Sequence, residues 1–403
     1  MMARMTRRLV AALAFLAVPA AAQGNPPPAS VVVAFDRESI RPLIVEGLAN
    51  RETGRAVAAN DPVRIASISK LIMALTALRL MDEGKLDLDR DVSDYLGWQL
   101  RSPHHPDAPV TLAHLMSHRA GLSDRGGYSI PLGASLQAKF ADPQSWRETG
   151  PPGEAAFEYA NLGSPLVATV LEAASGERYD RLVERLMFAP LGVKACLNWI
   201  GCGPEMEARA VTLYRHTGEV AADGPDRLPP ACTIPVAEGV ECSLENYVPG
   251  TNASIFSPQG GVRIGMVDLA KIGQALLAEG GFVTSPKGRR AFNEAAFEDG
   301  LPAKGFRRNP GQQLFCVYVL HVQYIDVPGS QCDDALFGGE TTRAGHSGEA
   351  YGLLSGLWIA ADGTSSFAFF TTENPPPPGG EDTGGFTDRE KALMARALGM
   401  VGE

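Results

Sequence analysis

The longest periodic segment of the chain covers residues 65–83, where apolar side chains recur every three or four positions. Its apolar stripe consists of Ile68, Leu71, Ile72, Leu75, Leu78 and Met81. This spacing predicts a helix, and the Gly84 that follows is typical of a C-terminal stop. Comparable patterns predict further helices over residues 111–117, 164–174, 263–278 and 387–398.

Short segments rich in β-branched and aromatic residues lie near both ends of the chain and predict strands. They are residues 31–35, 43–48, 313–323, 352–359 and 366–372. Asp362-Gly363, between the last two, indicates a hairpin. Because strands occur at both ends with helices between them, we expect an α+β fold whose antiparallel sheet is formed from both chain ends and flanked by helices.

With 403 residues the chain exceeds one ordinary domain, yet no central linker divides it. We expect an α/β lobe that contains the sheet, from residues 23–90 and 250–403, and an inserted helical lobe from residues 91–249. The cysteine-containing stretch at about residues 194–249 belongs to the second lobe. A cleft between the lobes is the natural place for a substrate.

The first residues have the composition of a cleavable secretory signal. Arg4, Arg7 and Arg8 precede an apolar run at residues 9–18, and Pro19 and three alanines follow. We expect cleavage after residue 22 and a periplasmic or secreted protein. An uncleaved anchor is the alternative, but it would need about twenty apolar residues. We expect no stable membrane span elsewhere in the sequence.

Charge and cysteine content restrict the partners and the compartment. The formal net charge is -10, and it becomes -13 once the three arginines of residues 1–22 are removed, with no basic cluster left. Nucleic acid is therefore not an expected partner. The six cysteines fall into three close pairs, Cys196 with Cys202, Cys232 with Cys242, and Cys316 with Cys332. We favour disulfides in these pairs because short loops close cheaply; other connectivities stay open, and no C-x-x-C spacing indicates zinc.

Ser67 and Lys70 stand one helical turn apart at the start of the first predicted helix. Residues three apart share a helix face, so the Lys70 amine can take the Ser67 proton without a histidine. Taken alone, the pair is better explained as a helix-start serine beside a solvated first-turn lysine. Two further triplets follow along the chain, Tyr159-Ala160-Asn161 in the predicted helical lobe and His346-Ser347-Gly348 before a predicted strand near the C-terminus. This ordered set favours an active site over the single-residue alternatives.

Together the three motifs resemble those of the penicillin-recognising serine hydrolases: class C β-lactamases, D-Ala-D-Ala carboxypeptidases, D-aminopeptidases and related esterases. The similarity covers about residues 31–372 and is weakest over residues 194–249. The segments that carry it are residues 64–70, 87–89, 115–122, 157–163, 260–263, 268–270, 345–348 and 351–352. The resemblance implies a β-lactamase/transpeptidase-like fold.

The resemblance also implies roles for individual residues. Ser67 would be acylated by the substrate, while Lys70 and Tyr159 would move the proton onto and off the serine oxygen. Asn161 would orient Lys70 and the acyl amide. The backbone N–H groups of Ser67 and Glu349 would bind the oxyanion. Lys70 can act as a base only if burial or a neighbouring positive charge lowers its pKa from an ordinary value of about 10.4.

The third motif departs from the pattern of the β-lactamases in this family, which usually carry Lys-Thr-Gly. His346, Ser347 and Gly348, which would contact the substrate together with Glu349, resemble instead the carboxypeptidase, D-aminopeptidase and esterase branches. Histidine carries less positive charge than lysine at neutral pH, which disfavours carboxylate-bearing β-lactams.

We therefore expect an exported serine acyl-hydrolase that forms an acyl-Ser67 intermediate with an ester or a D-amino-acid amide or peptide, its partner being a small-molecule or peptide substrate. A β-lactamase is one alternative, and a catalytically inactive cell-wall or ligand-binding sensor of the same fold is another. The chain contains no G-x-S-x-G or H-E-x-x-H sequence, which disfavours an α/β-hydrolase and a metalloprotease. No metal or organic cofactor is implied, and the oligomeric state stays open.

Overall fold

The computed structural model describes residues 27–225, 232–278, 282, 297–298, 301–302, 309, 311–339, 341–360, 362, 364–372 and 385–402. The predicted signal sequence at residues 1–22 lies outside these ranges. Where the chain is described, none of its helices is both long and apolar enough to cross a membrane.

The described α-helices are α1 Ile68–Asp82, α2 Ser93–Leu96, α3 Leu112–Met116, α4 Leu136–Ala141, α5 Gly163–Ser175, α6 Tyr179–Val183, α7 Pro204–Ala208, α8 Met266–Leu277 and α9 Asp388–Val401. The described strands are β1 Ser30–Phe35, β2 Ile40–Glu46, β3 Leu48–Asn50, β4 Arg55–Ala56, β5 Val63–Arg64, β6 Ala195–Leu197, β7 Val262–Ile264, β8 Phe297–Glu298, β9 Leu301–Pro302, β10 Val317–Val319, β11 Val322–Ile325, β12 Arg343–Ala350, β13 Leu353–Ala360 and β14 Ser366–Thr371.

Seven strands form the main sheet in the order β10-β11-β12-β13-β14-β1-β2, with antiparallel neighbours. Strand β1 lies between β14 and β2, so that Val32 is opposite Phe369 on one side and Ile44 on the other. The predicted α+β fold, with an antiparallel sheet formed from both chain ends, is thereby confirmed.

Helices cover both faces of this sheet. Helix α8 packs against β1, β13 and β14, and α9 packs against β1 and β2, which explains why every residue of β1 is buried. Helix α1 lies against β12 and also contacts α5. Twelve of its fifteen residues are buried, so α1 is a central helix with no solvated face. Helix α1 therefore lies at the junction between the sheet and the other helices.

Helices α2 to α7 lie between β5 and β7 in the chain. A small sheet of order β5-β7-β6 joins the segment before α1 to residues from the cysteine-containing stretch. The predicted lobe boundaries at residues 90/91 and 249/250 stay a prediction.

The single strand predicted over residues 313–323 is wrong, because the chain there forms the β10–β11 hairpin. Leu320 and His321 make its turn with φ angles of 49° and 59°, angles that usually require glycine or asparagine. Tertiary contacts stabilise them: His321 N donates to Met116 O at 2.7 Å, and Leu320 N donates to Ser117 Oγ at 3.2 Å.

Other positions along the chain also differ from the predictions. The third motif lies within strand β12 rather than before a strand. The helix predicted from residue 263 begins at Met266, since residues 262–264 pair in the small sheet. The strand predicted over residues 43–48 ends at Glu46, where Gly47 turns the chain with φ 86°.

The favoured cysteine pairs are the ones that the structure contains: Cys196–Cys202, Cys232–Cys242 and Cys316–Cys332. Each closes a local loop, with 6, 10 and 16 residues of sequence separation respectively. No described cysteine is free.

Candidate active site

The chain reaches Ser67 through a strained turn. Strand β5 ends at Arg64, and Ala66, next to Ser67, has a φ of 45°, which alanine seldom adopts. Such outliers persist where the surroundings enforce them, and they cluster at functional sites. Ser67 precedes the first residue of α1, yet its hydroxyl caps no backbone N–H of the helix. The helix-cap explanation of this serine therefore does not apply.

Lys70 lies one turn into α1 with its side chain fully buried. Its Nζ is 3.2 Å from Ser67 Oγ, 2.7 Å from Asn161 Oδ1 and 3.2 Å from the carbonyl oxygen of Gln259. Burial lowers the pKa of this amine to about 7, against a smaller opposing influence of the Asp124 carboxylate. The alternative of a solvated first-turn lysine is therefore excluded, and the condition required of a lysine base is met.

Asn161 is held in one orientation by Asp124. The Asn161 Nδ2 and backbone N donate to Asp124 Oδ2 at 3.0 and 2.9 Å, and Leu162 N donates to Asp124 Oδ1 at 2.9 Å. A carboxylate only accepts hydrogen bonds, so the amide nitrogen must face Asp124 and the amide oxygen must face Lys70. This orientation supplies the Lys70 amine with a fixed acceptor.

Tyr159 forms one wall of the site. Its ring is stacked on Phe315 with centroids 4.4 Å apart, and Lys70 Nζ lies 4.7 Å from the centroid of the Tyr159 ring. The Tyr159 hydroxyl is buried and has no hydrogen-bond partner among the described residues. Burial raises the pKa of this phenol well above its usual value, although the nearby Ser67 hydroxyl acts in the opposite direction. Tyr159 is therefore a neutral phenol at physiological pH.

Ser67, Tyr159 and Asn161 line a cleft of about 760 Å³. It is lined by Arg64, Ala66, Ser67, Gly127, Tyr128, Ser129, Tyr159, Asn161, Ser257, Gln259, Gly260, Leu314, Phe315, Ser347, Gly348, Glu349, Ala350 and Tyr351. Four of these eighteen residues are aromatic, and Arg64 and Glu349 supply the formal charges of the wall. A volume of this size accommodates a small molecule or the end of a peptide.

Comparison with protein families matches residues 7–388 to the family described as Beta-lactamase. The chain belongs to the β-lactamase family. Esterase EstB of Burkholderia gladioli is 30% identical over 213 residues, 48% of this chain and 51% of the esterase. Penicillin-binding protein 4 of Amycolatopsis lactamdurans is 24% identical over 253 residues, 63% of this chain and 60% of that protein. The chain therefore covers less than two thirds of either relative.

Solved structures with the same fold support the architecture of this β-lactamase-family protein. D-amino acid amidase from Ochrobactrum anthropi SV3, complexed with D-phenylalanine, superposes with a TM-score of 0.63 at 18% identity and covers 93% of both chains. A class C β-lactamase from Rhodobacter sphaeroides gives a TM-score of 0.63 at 17% identity, over 93% of this chain and 95% of the other. At these identities the likeness concerns the fold alone.

The third motif of this β-lactamase-family protein has an unexpected arrangement, because the His346 side chain is buried behind the cleft wall. Its Nδ1 lies 2.5 Å from Ser347 O, and its Nε2 lies 2.9 Å from the Tyr318 hydroxyl. A carbonyl only accepts, so Nδ1 carries the proton and Nε2 accepts from Tyr318. Burial, followed by the Lys70 charge, lowers the pKa of His346 to about 3. The imidazole is therefore neutral and supplies no cation to the cleft.

The other two motif residues and Glu349 do line the cleft. Ser347 N and Oγ each lie 3.0 Å from Gln323 Oε1. Gly348 passes so close to the loop before the nucleophile that a β-carbon there would overlap with the Ile65 carbonyl oxygen. Only glycine permits this approach of β12 to the turn that presents Ser67.

Three groups at the site were not predicted from the sequence. They are the Asp124 carboxylate, which orients Asn161; the Gln259 carbonyl, which accepts from Lys70; and the Phe315 ring, which stacks on Tyr159. Gln259 directly precedes the recognised Gly260-Gly261 pair, which was the available signal. Within the described ranges, no three His, Cys, Asp or Glu side chains are grouped so that they could hold a metal ion.

Proposed function

We propose that the protein is an exported serine acyl-hydrolase that forms an acyl-Ser67 intermediate with an ester or a D-amino-acid amide or peptide. The observation that carries this proposal is the position of the buried Lys70 amine, 3.2 Å from Ser67 Oγ, with a pKa lowered to about 7. A base whose pKa lies near the working pH is partly unprotonated and still accepts a proton readily.

The hydrogen bonds of Lys70 support its role as the base. A neutral amine has two N–H groups, and Asn161 Oδ1 and Gln259 O provide two acceptors for them. The lone pair is then directed to Ser67, whose hydroxyl donates to it. As Ser67 Oγ attacks the acyl carbonyl, the serine proton moves to Lys70 and the carbonyl becomes an oxyanion.

Tyr159 is proposed to complete the proton transfer. Its raised pKa keeps the phenol protonated, so Tyr159 cannot take the serine proton first but retains its own proton for donation. In the proposal, the leaving alkoxide or amine takes the Tyr159 proton and the Lys70 ammonium restores it, so that water can later hydrolyse the acyl-enzyme by the reverse route. The backbone N–H groups of Ser67 and Glu349 bind the oxyanion, each contributing about 10²- to 10³-fold in rate.

The substrate preference follows from the neutral His346. A carboxylate beside the scissile bond finds no cationic third-motif side chain, whereas an uncharged ester or amide needs none. One relative is an esterase, and one solved structure with the same fold is a D-amino acid amidase; both names fit a preference for esters and amides. The three disulfides and the arginine-rich, apolar N-terminal sequence support a periplasmic or secreted location.

Intact-protein mass spectrometry tests the proposal. The mature chain is incubated with a nitrophenyl ester, a fluorophosphonate or a fluorescent penicillin, in parallel with Ser67→Ala and with Ser135→Ala, an exposed serine at the start of α4. We expect an adduct on Ser67 and ester turnover in wild type and Ser135→Ala, and neither in Ser67→Ala. Ester hydrolysis by Ser67→Ala at the wild-type rate would refute the proposal. Fast penicillin turnover would point to a β-lactamase, and a complete lack of adducts to a binding protein.

A further inference from the structure

The Cys196–Cys202 disulfide closes a short loop behind the candidate active site. Two consecutive residues of this loop, Asn198 and Trp199, have φ angles of 49° and 64°. Both side chains are buried. Two adjacent non-glycine residues with left-handed φ angles are unfavourable unless the surrounding structure stabilises them. The surroundings of the loop therefore enforce its conformation.

The first connection from this loop to the active site is made by Asn198. Its Nδ2 donates to Ile255 O at 3.1 Å and to Ser257 Oγ at 2.7 Å, and its backbone N donates to Gly261 O at 2.8 Å. These bonds hold both ends of the turn at residues 257–261. The same turn presents the Gln259 carbonyl to the Lys70 amine.

The second connection begins at Trp199. Its Nε1 donates to Asp223 O at 2.7 Å, and its ring faces the Arg263 guanidinium at 5.4 Å. Asp223 Oδ1 accepts from Arg64 Nε at 2.8 Å and from Arg263 Nη2 at 2.9 Å. Arg64 in turn donates through Nη1 to Gly260 O at 2.5 Å. The loop therefore contacts the turn at residues 257–261 by two independent routes.

We infer that the disulfide-closed loop positions the acylation machinery, by fixing the turn at residues 257–261 and with it the carbonyl that orients the Lys70 amine. This inference rests on the proposed function. Asn198, Trp199 and Asp223 are positioning residues, because none of them lines the cleft. If the turn shifts, the amine loses an acceptor and its lone pair rotates away from Ser67. The acylation step then slows, while the substrate contacts made by the cleft residues outside the turn persist.

Single-turnover acylation by a nitrophenyl ester separates these two effects, because it gives a limiting rate and a half-saturation concentration. The test variant is Cys196→Ser with Cys202→Ser, and its matched control is Cys232→Ser with Cys242→Ser, which removes a disulfide outside these contacts. We expect the limiting rate of the test variant to fall at least about 10-fold with half-saturation unchanged. The control should acylate like wild type.

A second variant keeps the test valid if loss of the disulfide impairs folding. Asn198→Asp preserves all three disulfides and a residue type that tolerates the left-handed region, but its carboxylate cannot donate to the Ile255 carbonyl. It should show the same loss of limiting rate. Wild-type acylation rates in both variants, or a change confined to half-saturation, would overturn the inference and leave the proposed function standing. Absence of any Ser67 adduct in wild type would refute both the inference and the proposed function.

Discussion

Replacing Lys70 with methionine tests the burial of this amine through the stability of the fold. The pKa of Lys70 is lowered from 10.5 to about 7 by burial. Between these values the unfolded chain binds one proton more than the folded chain, so wild-type stability rises with pH by about 1.4 kcal/mol per unit. Over the whole interval the gain is about 5 kcal/mol. Methionine has a similar length and does not titrate.

The assay is urea unfolding of wild type and Lys70→Met at pH 7, 8 and 9. The difference in unfolding free energy between the two proteins should shift in favour of wild type by about 1 kcal/mol from pH 7 to 8, where the folded amine is still partly protonated, and by about 1.3 kcal/mol from pH 8 to 9. This slope does not depend on the hydrogen bonds to Asn161 and Gln259 that the methionine removes, because that loss is the same at each pH. Parallel stability curves would refute the reasoning, since they would mean that Lys70 is charged in the folded protein.

Two further predictions concern residues at this site, and a third concerns a distant carboxylate. Asp124→Asn should lower kcat/KM on the order of 10²-fold, measured with a nitrophenyl ester, because the amide no longer fixes which end of Asn161 faces Lys70; an unchanged rate would contradict it. Gly348→Ala should destabilise the fold by about 1–3 kcal/mol in urea unfolding, because its β-carbon overlaps with the Ile65 carbonyl oxygen; wild-type stability would show that β12 can move away. Glu172→Ala should cost about 1–3 kcal/mol, because the buried N–H of Tyr179 loses its acceptor and the half-buried N–H of Gly250 loses a further hydrogen bond; the partly exposed Glu177→Ala is the control and should change stability little.

Local periodicity and motif order were sufficient to predict the sheet from both chain ends and to select the residues that gather around the cleft. Ser67 and Lys70 lie on one turn of one helix, so their proximity follows from helix geometry alone. Tyr159 and Asn161 were found through resemblance, since no local pattern brings residue 161 to within 2.7 Å of residue 70.

What the sequence could not indicate depends on tertiary contacts. Asp124 lies 37 residues before Asn161, and an aspartate in a loop has many ordinary uses. The Gln259 contribution is a backbone carbonyl, which any residue at that position could provide. The burial of His346 depends on which face of β12 meets Tyr318, and strand alternation does not specify that face.

The position of β1 in the middle of the sheet has a consequence for the order of folding. Ser30 Oγ lies 2.9 Å from Thr371 Oγ1, although the two residues are 341 positions apart in the chain. Strand β1 is synthesised early and cannot obtain its β14 partner until nearly the whole chain has followed. The three disulfides bridge at most 16 residues, so none of them brings the two ends together sooner. Closure of the sheet is therefore a slow, long-range step, and until it occurs one edge of an apolar strand is open to pairing with other chains.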